Sequence, residues 1–222
     1  MTVARLASAL AAAIAGAVLA PAHGQTVRAE RPAVTVGDSW EYAYRDTRFI
    51  HPGCKYSLTV EKVSGSRISA RVDRPDGCDV GITGTMPVAS GSVQTYDLDF
   101  NHFYYSKSAY RALDFPLEVG KTWVQTYEYK IGLWNYSADL TAEVVAVESV
   151  TVPAGTFEAF KVIVRRTYEG KAPNRWTQSG RTTDTVWYAP VIKNVVKRSY
   201  SDVGPGGSPS PIQRELTSFI LK

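Results

Sequence analysis

The sequence predicts an all-β protein: a single antiparallel domain built as a curved sheet, a sandwich or an open barrel, with an internal duplication. Three observations lead there. The 222 residues include 13 Tyr, 7 Phe and 5 Trp, and flat rings are what pleated, half-buried surfaces collect. Apolar and polar residues alternate along most of the chain, the period-2 signature of strands. Past the first two dozen residues, no window of about 11 residues carries a helical 3.6 period. With 44% hydrophobic and 21% charged residues the composition is globular. No internal apolar run reaches the roughly 18 residues a membrane helix needs.

The first element is an address. Residues 1–24 hold one charge, Arg5, then an Ala-rich run from Leu6 to Ala20 and small residues through Ala22-His23-Gly24. A basic start, an apolar stretch of about 15 residues and an A-x-A-like site make a secretory signal peptide. The expected product is residues 25–222, one all-β domain, periplasmic or secreted, with no transmembrane segment after cleavage. Losing Arg5 takes the formal net charge from +4 to +3. No basic run is longer than a pair such as Arg165-Arg166, so nucleic acid is a poor partner.

Trp40, Tyr42 and Tyr44 alternate with polar neighbours and open the strands. Tyr56-x-Leu58-x-Val60 and Ile68-x-Ala70-x-Val72 flank Gly65-Ser66 and read as a hairpin. A three-residue loop, Gly65-Ser66-Arg67, puts both apolar sets on one face. That register also sets Cys54 opposite Cys78, and two cysteines in an exported chain point to one disulfide. Further strands are expected at Trp123–Tyr129, Ala138–Val147, Phe160–Val164, Thr183–Tyr188, Ile192–Tyr200 and Glu215–Leu221. Val152-Pro153-Ala154-Gly155 suits a type I turn between two of them. The Gly/Pro/Ser stretch 204–211 is expected to be a mobile loop.

The chain echoes itself. Val36-Gly37-Asp38-Ser39-Trp40 returns as Val119-Gly120-Lys121-Thr122-Trp123, and Leu58-Thr59-x-Glu61-x-Val63 as Leu140-Thr141-x-Glu143-x-Val145. The offsets, 83 and 82 residues, nearly agree. Two copies are too few for a solenoid and are expected to share one core.

Catalytic motifs are absent: no Gly-x-Ser-x-Gly, Cys-x-x-Cys, His-Glu-x-x-His or phosphate-binding glycine loop occurs. No cofactor is expected. The most chemical segment is Asp97-Leu98-Asp99-Phe100-Asn101-His102. As a strand it would align Asp97, Asp99 and Asn101 on one face. Asp-x-Asp-x-Asn opens a calcium loop, but the sixth position is His102 where Gly is required, and the twelfth is Ser108 where Glu is required. The reading is a solvated strand face and no metal site. A hydrolase using Asp97, Asp99 and His102 is the alternative. Trp40, Trp123 and Trp187 sit in strand patterns and read as core. Trp134 and Trp176 lie in less periodic stretches and are the candidate ligand-binding residues, since exposed rings stack on sugars or apolar ligands.

Val150-Thr-Val-Pro-Ala-Gly-Thr-Phe-Glu-Ala-Phe-Lys-Val162, Trp187-Tyr-Ala-Pro190, Val195-Val-Lys197 and Phe115-Pro-Leu-Glu-Val-Gly-Lys-Thr-Trp123 resemble the secreted bacterial β-rich domains of unknown function called TapB-like. The likeness spans roughly residues 35–200. It implies fold and export, and brings no catalytic residues. The functional expectation is a non-enzymatic binding or structural module of the cell envelope. It would hold an apolar small molecule in the concavity of a sheet or dock an envelope partner on exposed aromatics.

Overall fold

A computed structural model describes residues 27–46, 53–75, 89–103, 106, 108–204 and 209–222; the segment 1–24 expected to be a signal peptide and Cys78 lie outside them. Ten strands form one antiparallel sheet, and two short strands form a second. The short pair is β1 (Arg28–Ala29) with β6 (Leu117–Glu118). From edge to edge the large sheet runs β5 (Ser92–Asp97), β4 (Arg67–Asp73), β3 (Cys54–Ser64), β2 (Ser39–Asp46), β12 (Pro209–Ile220), β11 (Asn194–Val203), β10 (Thr177–Ala189), β9 (Gly155–Lys171), β8 (Trp134–Val152) and β7 (Thr122–Ile131). The sheet does not close into a barrel. The chain meanders outward from β2 to β5, crosses along residues 98–121 to the far edge, and meanders back to place β12 beside β2.

One face of the sheet carries the alternating apolar set, among it Trp40, Tyr42, Leu58, Ile68, Leu140, Val144, Val162, Tyr188 and Leu216, all buried. The crossover segment lies over this face. Phe100 meets Trp40 edge-on at 5.3 Å and Phe115 meets Tyr188 at 4.9 Å. Asn101 and Leu113 exchange two hydrogen bonds of 2.7 and 2.8 Å, so one side chain acts as a rung of backbone ladder inside the crossover.

The echo has a hydrogen-bonded identity. Gly37 and Gly120 both take a left-handed φ, 91° and 88°, which a side chain would strain. Gly37 N–H donates to Val60 C=O and Val60 N–H to Asp38 C=O; Gly120 and Val144 repeat this with Lys121. Each copy is followed by a bulge, between Val60 and Lys62 and between Val144 and Ala146. Val60 and Val144 are 84 apart, so the sequence match of Leu58 to Leu140 is out of structural register by two residues. An even slip preserves the face, and the match survives it.

Two expectations are corrected. The β3–β4 hairpin turns through two residues, Gly65 and Ser66, pairing Ser64 with Arg67. The bulge at Glu61 absorbs the parity change and returns both apolar sets to one face, pairing Leu58 with Val72. Residue numbers beyond the bulge then sum to 130, so the register no longer sets Cys54 opposite Cys78. Secondly, strand β12 begins at Pro209, inside the stretch expected to be loop. Residues 209–211 pair only with β11, since β2 joins at Ile212. At such an edge the missing proline N–H costs no ladder bond.

Candidate functional site

The two tryptophans singled out from the sequence lie at the same end of the sheet. Ile131 pairs with Trp134 across a two-residue turn in which Gly132 has a φ of 57°. Leu133, beside it, is 71% exposed and Trp134 is half-buried. Trp176 is 70% exposed in the β9–β10 connection, which Ala172 N–H closes onto Trp176 C=O at 2.9 Å. Lys171 pairs with Asn135 on one side and Thr177 on the other, so the end of β9 separates the two indoles.

From Trp134 a ladder of rings runs inward along the buried face. Trp134 stacks on Tyr136 at 6.2 Å, Tyr136 on Tyr129 at 4.7 Å, and Tyr129 on Tyr127 at 5.7 Å. Two glycines make room for it. A Cβ on Gly170 would come within 2.4 Å of the Tyr136 ring, and one on Gly180 within 2.3 Å of the Tyr168 hydroxyl, so these rings lie flat across the neighbouring strand. Arg166 is buried beside the ladder, donating to the hydroxyls of Tyr127 at 3.0 Å and Tyr200 at 3.1 Å, with the Tyr168 ring 5.4 Å away. Burial opposes its charge, but Tyr200, Tyr127, Tyr110 and Tyr129 outweigh that and hold its pKa above the ordinary arginine value. Burial likewise pushes the Tyr129 hydroxyl above its usual range. The ladder is a cationic and aromatic surface that stays protonated.

On the opposite, solvent-facing side the same strands form an open groove of about 670 Å³. Its polar wall includes Ser137, Asp139, Thr167, Glu169, Ser179 and Arg181.

Asp97, Asp99 and His102 are not a solvated strand face. Strand β5 ends at Asp97, and Phe100, with a φ of 62°, turns the chain back so that Tyr96 bridges His102. The competing force is turn chemistry: the Asp97 carboxylate accepts the backbone N–H groups of Asp99 and Asn101 at 2.9 and 2.8 Å. Asp99 is buried against Arg31, and His102 Nε2 sits 3.0 Å from Gln94 Oε1. Burial first, then the charge of Arg198, lowers the His102 pKa to about 4. Burial raises that of Asp97, partly offset by its bonds to Asn101. Each group is committed to the turn. Among the described residues no three His, Cys, Asp or Glu side chains gather as a metal site.

Three buried-face arginines, Arg166, Arg198 and Arg214, were missed by the sequence reading. Their signal was available: each occupies an apolar phase of its strand, as Arg166 does after Val162 and Val164.

No family model and no curated protein matches the chain. Two solved structures resemble it loosely. One is a protein from Parabacteroides distasonis ATCC 8503 named as a lipoprotein, 16% identical, with a TM-score of 0.46 over 86% of this chain and 99% of that one. The other is a protein from Bacteroides fragilis NCTC 9343 named as exported and YmcC-like in fold, 15% identical, with a TM-score of 0.42 and the same coverages.

Proposed function

We propose that this protein is an exported, non-enzymatic binding module of the cell envelope that docks envelope glycans on the rim formed by Leu133, Trp134 and Trp176. The observation that carries the reading is the placement of two indoles, distant in sequence, at one end of the sheet beside an exposed leucine. Exposed apolar groups clustered in this way mark contact surfaces. The apolar face of a sugar fits such rings.

Export follows from the signal pattern in residues 1–24 and accords with the TapB-like signatures. Residues 25–222 act as one domain, without a cofactor. The cavity remaining under the crossover, about 40 Å³, is far below the roughly 300 Å³ of a small-molecule pocket, which favours rim docking over an apolar ligand held within the sheet. The structural duties of Asp97, Asp99 and His102 support a non-enzyme.

Tryptophan emission titrated with soluble peptidoglycan fragments tests this. A saturable change is expected, lost in Trp134→Ala with Trp176→Ala and absent with phospholipid vesicles. A response to vesicles alone, or one retained in the double variant, overturns the reading.

A further inference from the structure

Strands β11 and β12 place Arg198 directly opposite Arg214 on the buried face. Like charges at opposed positions destabilise a strand pair, and here the neighbouring carboxylate serves only one of the two. Asp184, fully buried, takes Arg198 by two points, Nε to Oδ1 at 2.8 Å and Nη2 to Oδ2 at 2.5 Å. It also accepts the Tyr110 hydroxyl at 3.2 Å.

Arg214 has no such partner. Its Nη1 donates to the Tyr56 hydroxyl at 3.0 Å, and its guanidinium lies 4.6 Å from the centre of the Tyr42 ring. No carboxylate among the described residues is within ion-pair reach of it, and its Nε is buried without a hydrogen-bond partner there. Asn194, 4% exposed, spends Oδ1 on Val195 N–H at 2.7 Å and likewise leaves Nδ2 unpartnered. Arg198, Arg214 and Asn194 all line the cavity of about 40 Å³ under the crossover.

The residues lining the cavity therefore carry two spare donors and one net positive charge, since Asp184 neutralises only Arg198 and His102 is uncharged near neutral pH. A water could satisfy the donors, but it leaves the charge uncompensated, and an uncompensated buried charge is strongly destabilising. A small anion answers both demands. A single water needs about 10–15 Å³, so the space exceeds one water, yet excludes a sugar or a lipid.

We propose that this cavity binds a small monovalent anion, of halide or single-carboxylate size, between Arg198, Arg214 and Asn194. The test uses the whole mature protein. Crystals grown or soaked in bromide are expected to show an anomalous peak between these three side chains. In solution, the melting temperature is expected to rise by several degrees as chloride replaces gluconate, an anion too large for the cavity, at constant ionic strength. That dependence disappears in Arg214→Gln. If that variant fails to fold, the bromide and chloride measurements on the unsubstituted protein still decide. Displacement of bromide by formate identifies a carboxylate-sized site, and resistance to formate a halide site. No bromide peak, or a peak without any difference between chloride and gluconate, overturns the proposal.

Discussion

Asp38 is fully buried and joins three stretches of chain, at Thr35, Lys193 and Lys222. Its Oδ2 accepts Thr35 N–H at 2.9 Å and Lys193 Nζ at 3.1 Å, and its Oδ1 accepts Lys222 N–H at 2.7 Å. Asp38→Ala removes all three bonds and leaves two amides and an ammonium without their acceptor. Hydrogen bonds to a charged group are worth about 1.5–3 kcal/mol each, and they are coupled. The expected loss is therefore about 3–5 kcal/mol, the range found on breaking buried ion pairs. In a domain of this size each kcal/mol moves Tm by about 2–4 °C, so calorimetry should show a drop of roughly 6–20 °C. Asp38→Asn keeps the shape without the charge and should fall between the two. Burial pushes the Asp38 carboxyl up, but the Lys222 and Thr35 amides and Lys193 prevail and hold it below its ordinary value. Its contribution is thus complete above the unfolded carboxyl pKa and is lost as pH falls through the lower folded one. A drop in Tm of under about 2 °C in Asp38→Ala would refute the reasoning, because three coupled bonds cannot vanish at so small a cost.

Four further outcomes are expected. His102, with a folded pKa of about 4 against about 6.5 when unfolded, stabilises fully above pH ~6.5 and loses roughly 3 kcal/mol by pH ~4. His102→Gln should flatten that part of the Tm–pH curve, and an NMR titration of His102 near its ordinary pKa would contradict it. Millimolar calcium should leave Tm unchanged in the parent and in Asp97→Asn with Asp99→Asn; a calcium-dependent gain abolished by the pair would reveal a metal site. Cys54 and Cys78 should appear as a linked pair in non-reducing peptide maps. Closing about 25 residues, the bond should contribute roughly 3–4 kcal/mol, and free thiols in exported material would disprove it. N-terminal sequencing of exported protein should begin at His23 or Gln25; finding Met1 in a membrane fraction would replace the signal peptide with an anchor.

The strands were legible where buried positions keep a period of two, as in Trp40, Tyr42 and Tyr44. The exposed state of Trp176 was legible for the converse reason, as it stands outside any period. Hairpin register was harder. The bulge at Glu61 adds one residue to one strand, and a two-residue turn with a bulge preserves the same parity as a three-residue turn without one. The turn at Asp97–Asn101 imitates an alternating strand in sequence, and only the bonds from its carboxylate to backbone amides distinguish the two. The pairing of Arg198 with Arg214 was hidden because it joins β11 to β12 across a loop whose length does not set register. The placement of Trp134 and Trp176 at one end of the sheet depended on the order of β8, β9 and β10, which no local pattern encodes.

The position of β12 bears on how the molecule can be made. The last strand of the chain is a central one, with β11 on one side and β2 on the other. Synthesised from its N-terminus, the polypeptide presents β2 long before Ile212 arrives to pair with Asp46. In the interval the edges of β2 and β11 are both open, and an unpaired edge invites pairing with another chain. Assembly is therefore gated by the arrival of β12. A ribosome that stalled just before it would leave two half-sheets in search of the same strand.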